Sequence, residues 1–161
     1  MLTSVGLSVR HHQGKGHWWG LMPVSHRWFL QDRVVLFEFS GVVTFEEVVS
    51  ALETSASIVN ESQGQSVHFL HDWSQLERFP TNILQIRKET NAPIGDLRKL
   101  GWMVVYGAEN RLLRYISQTV LQVFKIRFRM FIRAEDAIAY LRQMDPTLPE
   151  FALPNNEESA T

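Results

Sequence analysis

From Ser25 to Gln143, short apolar runs alternate with amphipathic stretches, and a turn separates each pair. Such alternation predicts an α/β domain built on a largely parallel sheet. Ser25 to Leu30 reads as a short strand, Gln31-Asp32 as a tight turn, and Arg33 to Ser40 as a strand rich in Val and Phe. Together they predict an antiparallel hairpin that Gly41 ends. Thr44-Phe45-Glu46-Glu47 has the spacing of a capping box. There the Thr hydroxyl accepts from the Glu47 amide, while the Glu47 side chain reaches back to the Thr44 amide. Phe45, Val48, Val49, Leu52, Ala56 and Val59 then recur at helical spacing, opposite Glu46, Ser50, Glu53, Ser57 and Asn60. This helix should stop near Gly64.

Val67 to Asp72 predicts the next strand, followed by a weakly patterned helix over Thr81 to Glu89 that Asn91-Ala92-Pro93 breaks. Gly101 to Tyr106 is apolar nearly throughout, as in a strand covered on both faces. Asn110 can cap a long helix to Phe124. Ile126 to Phe131 is the last strand, and Ala134 to Gln143 the last helix, with Ala134, Ala137, Ile138 and Leu141 inward. The predicted order is β-β-α-β-α-β-α-β-α, with about five strands and four helices. Residues 1–24 read as an irregular aromatic extension, 25–145 as the domain, and 146–161 as a flexible tail.

Composition narrows the chemistry more than it names it. The 161 residues carry a formal net charge of −1, which exerts no overall pull towards nucleic acid. There is no cysteine, so disulfides, thiolate metal sites and cysteine nucleophiles are excluded. No apolar run is long enough to span a bilayer, and the first residues make a poor signal peptide. A cytoplasmic location is therefore expected.

On these residues the chain resembles the STAS superfamily in its SpoIIAA-like branch. Three stretches carry the resemblance. Val34 to Glu47 runs from a strand through Gly41 into a capped helix. Phe69-Leu70-His71-Asp72 is a strand that ends in Asp. Arg129 to Leu141 is similar to the family's last strand and closing helix, with Tyr140 at a usual aromatic position. The resemblance implies a small protein-interaction or ligand-binding module. Some relatives are anti-sigma-factor antagonists switched by serine phosphorylation, and a related fold holds lipids in an apolar cleft. Asp72 and Ser74 match the switching relatives by position. Trp73 and Gln75 depart from them, in place of small residues that let a kinase domain approach.

Three groups of residues are candidate sites. Asp72, Trp73 and Ser74 are expected just past the carboxyl end of a central strand, where open α/β sheets bind ligands. The plainer role for Asp72 or Ser74 is to cap a turn or helix. The start of the long helix, with Asn110, Arg111 and Arg114, would flank that loop. Lys125, Arg127 and Arg129 alternate with apolar residues along the last strand. They either guard a sheet edge or form an anion patch for a lipid headgroup or phosphate.

His68 and His71 have odd spacing on one strand, so they point to opposite faces and cannot chelate one ion from it. His11, His12 and His17 show no ligand framework. Neither a metal nor a cofactor is expected. Phosphate-loop, nucleophile-elbow and zinc-helix motifs are all missing. The expectation is a noncatalytic module that binds another protein or its own copy. The alternative is a carrier for a lipid or other small apolar ligand between helices and sheet.

Overall fold

The computed structural model describes residues 22–63, 66–80, 82, 98–109 and 126–152. β1 (Val24–Leu30) and β2 (Val34–Val42) form the expected antiparallel hairpin. Asp32 takes a left-handed conformation in its turn (φ 58°), and the Arg33 N–H donates to the Leu30 carbonyl at 3.0 Å. Gly41 does not end β2. At φ +60° it carries the strand through a shift in register to Val42.

α1 (Phe45–Glu61) begins at the capping box predicted from sequence. The Thr44 N–H donates to Glu47 Oε2 at 2.7 Å, and the Glu47 N–H donates to Thr44 Oγ1 at 3.3 Å. Val48, Ala56 and Val59 are buried, while Glu46, Ser50, Glu53, Ser57 and Asn60 are exposed, as the spacing requires. The helix closes at Ser62, close to the stop expected near Gly64.

β3 (Val67–Arg78), β4 (Leu100–Tyr106) and β5 (Phe128–Met130) complete one sheet in the order β1-β2-β3-β4-β5. β2 to β5 are mutually parallel, so β3 is the central strand, as predicted. α2 (Ala134–Met144) follows β5 and buries Ala137, Ile138 and Leu141. The expected helices over 81–89 and 110–124 lie outside the described residues. The result is a mixed α/β sheet with described helices on both faces.

α1 covers the face formed by Val35, Phe37, Phe39, Phe69, Trp73, Met103 and Val105. α2 covers the other, formed by Val34, Leu36, Leu70, Val104 and Tyr106. Leu148 is buried and the Phe151 ring meets Phe29 edge-on at 5.4 Å, so the chain stays on the domain past residue 145. Val24, expected in the extension, opens β1.

Burial is continuous from Val34 to Phe37 and from Val67 to His71, then becomes intermittent, with Glu38, Ser40 and Ser74 exposed. At the carboxyl end of the α2 face, therefore, Glu38, Ser40 and Ser74 are exposed while Tyr106 stays buried. Among the described residues, no helix is long and apolar enough to cross a membrane.

Candidate functional site

The first expected site changes character. Asp72, Trp73 and Ser74 do not follow a strand; they lie inside β3, which runs on to Arg78. Glu38 pairs with Asp72 and Ser40 with Gln75, so β3 holds an extra residue there, a β-bulge. The Asp72 carboxylate caps this irregularity by accepting from the Ser74 N–H at 2.8 Å. Its capping role is therefore real, although the structure capped is a bulge and not a helix. Trp73 points inward, only 5% exposed, with Phe39 edge-on at 5.9 Å and Phe79 stacked at 5.3 Å. It is a core residue and not an exposed anchor. Ser74 and Gln75 face solvent.

Neighbouring strands complete this rim. Asp72 also pairs with Tyr106 across the sheet. Burial raises the Tyr106 phenol above its ordinary range, and the charge and hydrogen bond of Asp72 push it further up. On the other side, the Arg27 guanidinium lies 3.7 Å from Glu38. β4 stops at Tyr106, and Gly107 turns the chain at φ +81°. A Cβ on Gly107 would come within 2.6 Å of the Ser74 nitrogen, so only glycine permits this approach. Asn110, Arg111 and Arg114 lie outside the described residues.

A second polar cluster sits at the opposite end, where β2, β3 and β4 begin. The Asp145 Oδ2 accepts from Arg33 at 2.8 Å and lies 3.0 Å from His68 Nε2. The Thr147 N–H donates to Asp145 Oδ1 at 3.0 Å. His68 Nδ1 accepts the Trp102 N–H at 3.0 Å. That acceptor role assigns the ring proton to Nε2, facing Asp145. Burial pushes the His68 pKa down against the pull of Asp145, so the ring is neutral near pH 7. Burial also raises the Asp145 carboxyl, but hydrogen bonds from Thr147, His68 and Arg33 together hold it well below the usual carboxylate range. The network ties the end of α2 to the start of the sheet.

Sequence reasoning missed this cluster. The sequence reading places Asp145 at the very end of the domain, Thr147 in the tail and Arg33 at the start of the second hairpin strand. Asp-Pro-Thr directly after a helix was the available signal, since an Asp two residues before an amide favours a side-chain-capped turn. The opposite-face prediction for the two histidines holds. His68 joins Asp145, whereas His71 lies among Phe37 and Phe39 at 5.3 and 5.2 Å. Burial alone lowers the His71 pKa to about 3. Among the described residues, no three His, Asp or Glu side chains gather to hold a metal.

The basic patch divides. Lys125 lies outside the described residues. Arg129 sits over the Tyr140 ring, 5.9 Å from its centroid. Arg127 instead borders the cleft around Arg33, His68 and Asp145. β5 is indeed a terminal strand of the sheet.

No family model matches the chain, and no curated protein matches it. A solved structure of an uncharacterized protein from the DUF3478 family, from Shewanella loihica PV-4, is similar to it and is described as having a SpoIIAA-like fold. The two share 14% identity with a TM-score of 0.49, over 73% of this chain and 91% of that one.

Proposed function

We propose that this chain is a noncatalytic interaction module that docks an extended segment of a partner protein along the carboxyl half of β3. One observation carries the reading: β3 outruns β4. The last pair between them is Asp72 with Tyr106, yet β3 continues to Arg78. Beyond that pair, Gln75, Leu76 and Arg78 bond to β2 alone among the described strands. From Gln75 on, the other side of this ladder would supply main-chain donors and acceptors to a segment laid beside it, the mode called β-augmentation. Exposed Ser74, Gln75, Glu77 and Arg78 would read the partner's side chains. The polar clusters support a binding role over catalysis. Both His68 nitrogens are engaged, and Asp72 is occupied by the Ser74 amide. The Thr147 hydroxyl also donates to Asp145, where Arg33 and His68 already converge.

Photo-crosslinking in cells tests this. A crosslinking residue at Gln75 should give a discrete adduct with another protein or a second copy, and one at Arg142 on α2 should not. An adduct pattern shared by both positions, or none at Gln75, defeats the proposal.

A carrier reading has one observation of its own. A cleft of about 520 Å³ opens between β1 and α1, lined by Met22, Val24, Phe37 and Ala51 among others. Native mass spectrometry of freshly purified protein should show a retained small molecule if the carrier reading is right, and bare protein if the docking reading is.

A further inference from the structure

We propose that the cleft at the amino end of the sheet, between Arg33 and Arg127, binds a small phosphoryl oxyanion. It lies at the opposite end from the docking rim and is independent of it. The cleft measures about 230 Å³ and is bordered by Arg33, Ser66, His68, Arg127, Asp145 and Thr147. Pockets for drug-sized ligands occupy roughly 300–1,000 Å³. This one suits a single phosphate or a small phosphate ester.

Charge decides the class of ligand. Among the described residues Asp145 is the one acid bordering the cleft, and its oxygens are already taken by Arg33, His68 and Thr147. His68 adds no charge near neutral pH, because its Nδ1 is held as an acceptor by the Trp102 N–H. Two guanidiniums against one carboxylate leave the cleft positive. Arg127 pairs with no carboxylate among the described residues, and its charge reaches far enough inward to oppose protonation of His68. Arg33 Nε is buried and has no acceptor among the described residues. Guanidiniums with donors to spare recognise oxyanions best, since planar N–H pairs match phosphoryl oxygens. Ser66 borders the same cleft.

Titration by nuclear magnetic resonance tests the site in the intact chain, at pH 7.5 and constant ionic strength. The probes are inorganic phosphate and glycerol 3-phosphate, read at the Trp102 amide, with chloride as control. Both should give saturable shifts, weakened about tenfold in Arg127→Ala. Arg127 is exposed, so this variant should keep the fold, and an unchanged melting temperature verifies that. Arg129→Ala, two residues further on within β5, should bind as the wild type does. Tighter binding of the ester identifies an esterified phosphate as the ligand; equal or weaker binding identifies the free ion. No saturable shift, undiminished binding in Arg127→Ala, or equal loss in Arg129→Ala overturns the proposal.

Discussion

Replacing Gly101 with alanine should destabilise the protein by about 3 kcal/mol, through one side chain that cannot yield. A Cβ built there falls 2.6 Å from His68 Nδ1 and 2.9 Å from the Val67 carbonyl oxygen. Ordinary contact begins near 3.4 Å, so the ring would have to retreat by about 0.8 Å. It is pinned on both sides. Nδ1 accepts the Trp102 N–H, and Nε2 faces Asp145, each at 3.0 Å. Overpacking of this kind costs ~1–3 kcal/mol. Releasing the ring instead strands a buried polar group, at ~1–3 kcal/mol. The alanine gains only ~0.4–1 kcal/mol from a stiffer unfolded chain. Urea unfolding gives the measurement, and a shifted midpoint at constant slope isolates stability. Gly41→Ala serves as the comparison. Its Cβ meets nothing within 4 Å, so only its φ of +60° opposes the change, at ~1 kcal/mol. If Gly101→Ala costs less than Gly41→Ala, the pinned ring is not what the glycine serves.

Three further outcomes follow from the same geometry. His71 stays neutral until about pH 3 in the folded state, whereas the unfolded chain takes up that proton near pH 6.5. Its contribution is therefore intact above pH 6.5 and shrinks as the pH falls towards 3, at up to ~1.4 kcal/mol per unit. Between pH 8 and pH 5 the wild type should lose about 2 kcal/mol on this account, and His71→Phe should lose that much less. Parallel urea curves for both proteins would contradict the assignment. Asp145→Asn should loosen the end of α2, lowering stability by ~1–3 kcal/mol, with faster hydrogen exchange at Leu148; unchanged exchange would show that the network does not anchor it. Trp73→Ala should cost ~3–5 kcal/mol as a core deletion, and a near-neutral result would return Trp73 to the surface.

Local order was readable where one physical signal dominated. The capping box of α1 is set by Thr44 and Glu47 alone, three residues apart, and needs no tertiary partner. The inward face of α2 follows from Ala137, Ile138 and Leu141 at helical spacing. The hairpin and the central place of β3 followed from runs of apolar residues, because such strands are buried on both faces. The extent of β3 was not readable in the same way. His71 and Trp73 are two apart and both buried, but the next buried residue is Leu76. The bulge at Ser74 puts three residues where alternation requires two, so the strand pattern dissolves just where the strand continues. What looked like a loop after Asp72 is thus a strand seen through a register shift.

The amino-end cluster was hidden for a different reason. Arg33, His68 and Asp145 lie far apart in sequence, and each has an ordinary local explanation, the first two as strand residues and the third as the end of the domain. They meet only because parallel strands start at one edge and α2 returns its carboxyl end to that edge. A parallel sheet with crossover helices makes such meetings systematic: strand starts and helix ends share one rim, strand ends and helix starts the other. In this chain the two rims differ in character. Among the described residues, the amino rim gathers two guanidiniums around one cleft whose single carboxylate is already saturated by hydrogen bonds. The carboxyl rim mixes both signs, Glu38, Asp72 and Glu77 with Arg27 and Arg78, beside an unmatched strand. Salt should therefore weaken an anion at the first rim, yet act little on main-chain pairing at the second. That difference separates the two sites experimentally, even when both are occupied in one sample.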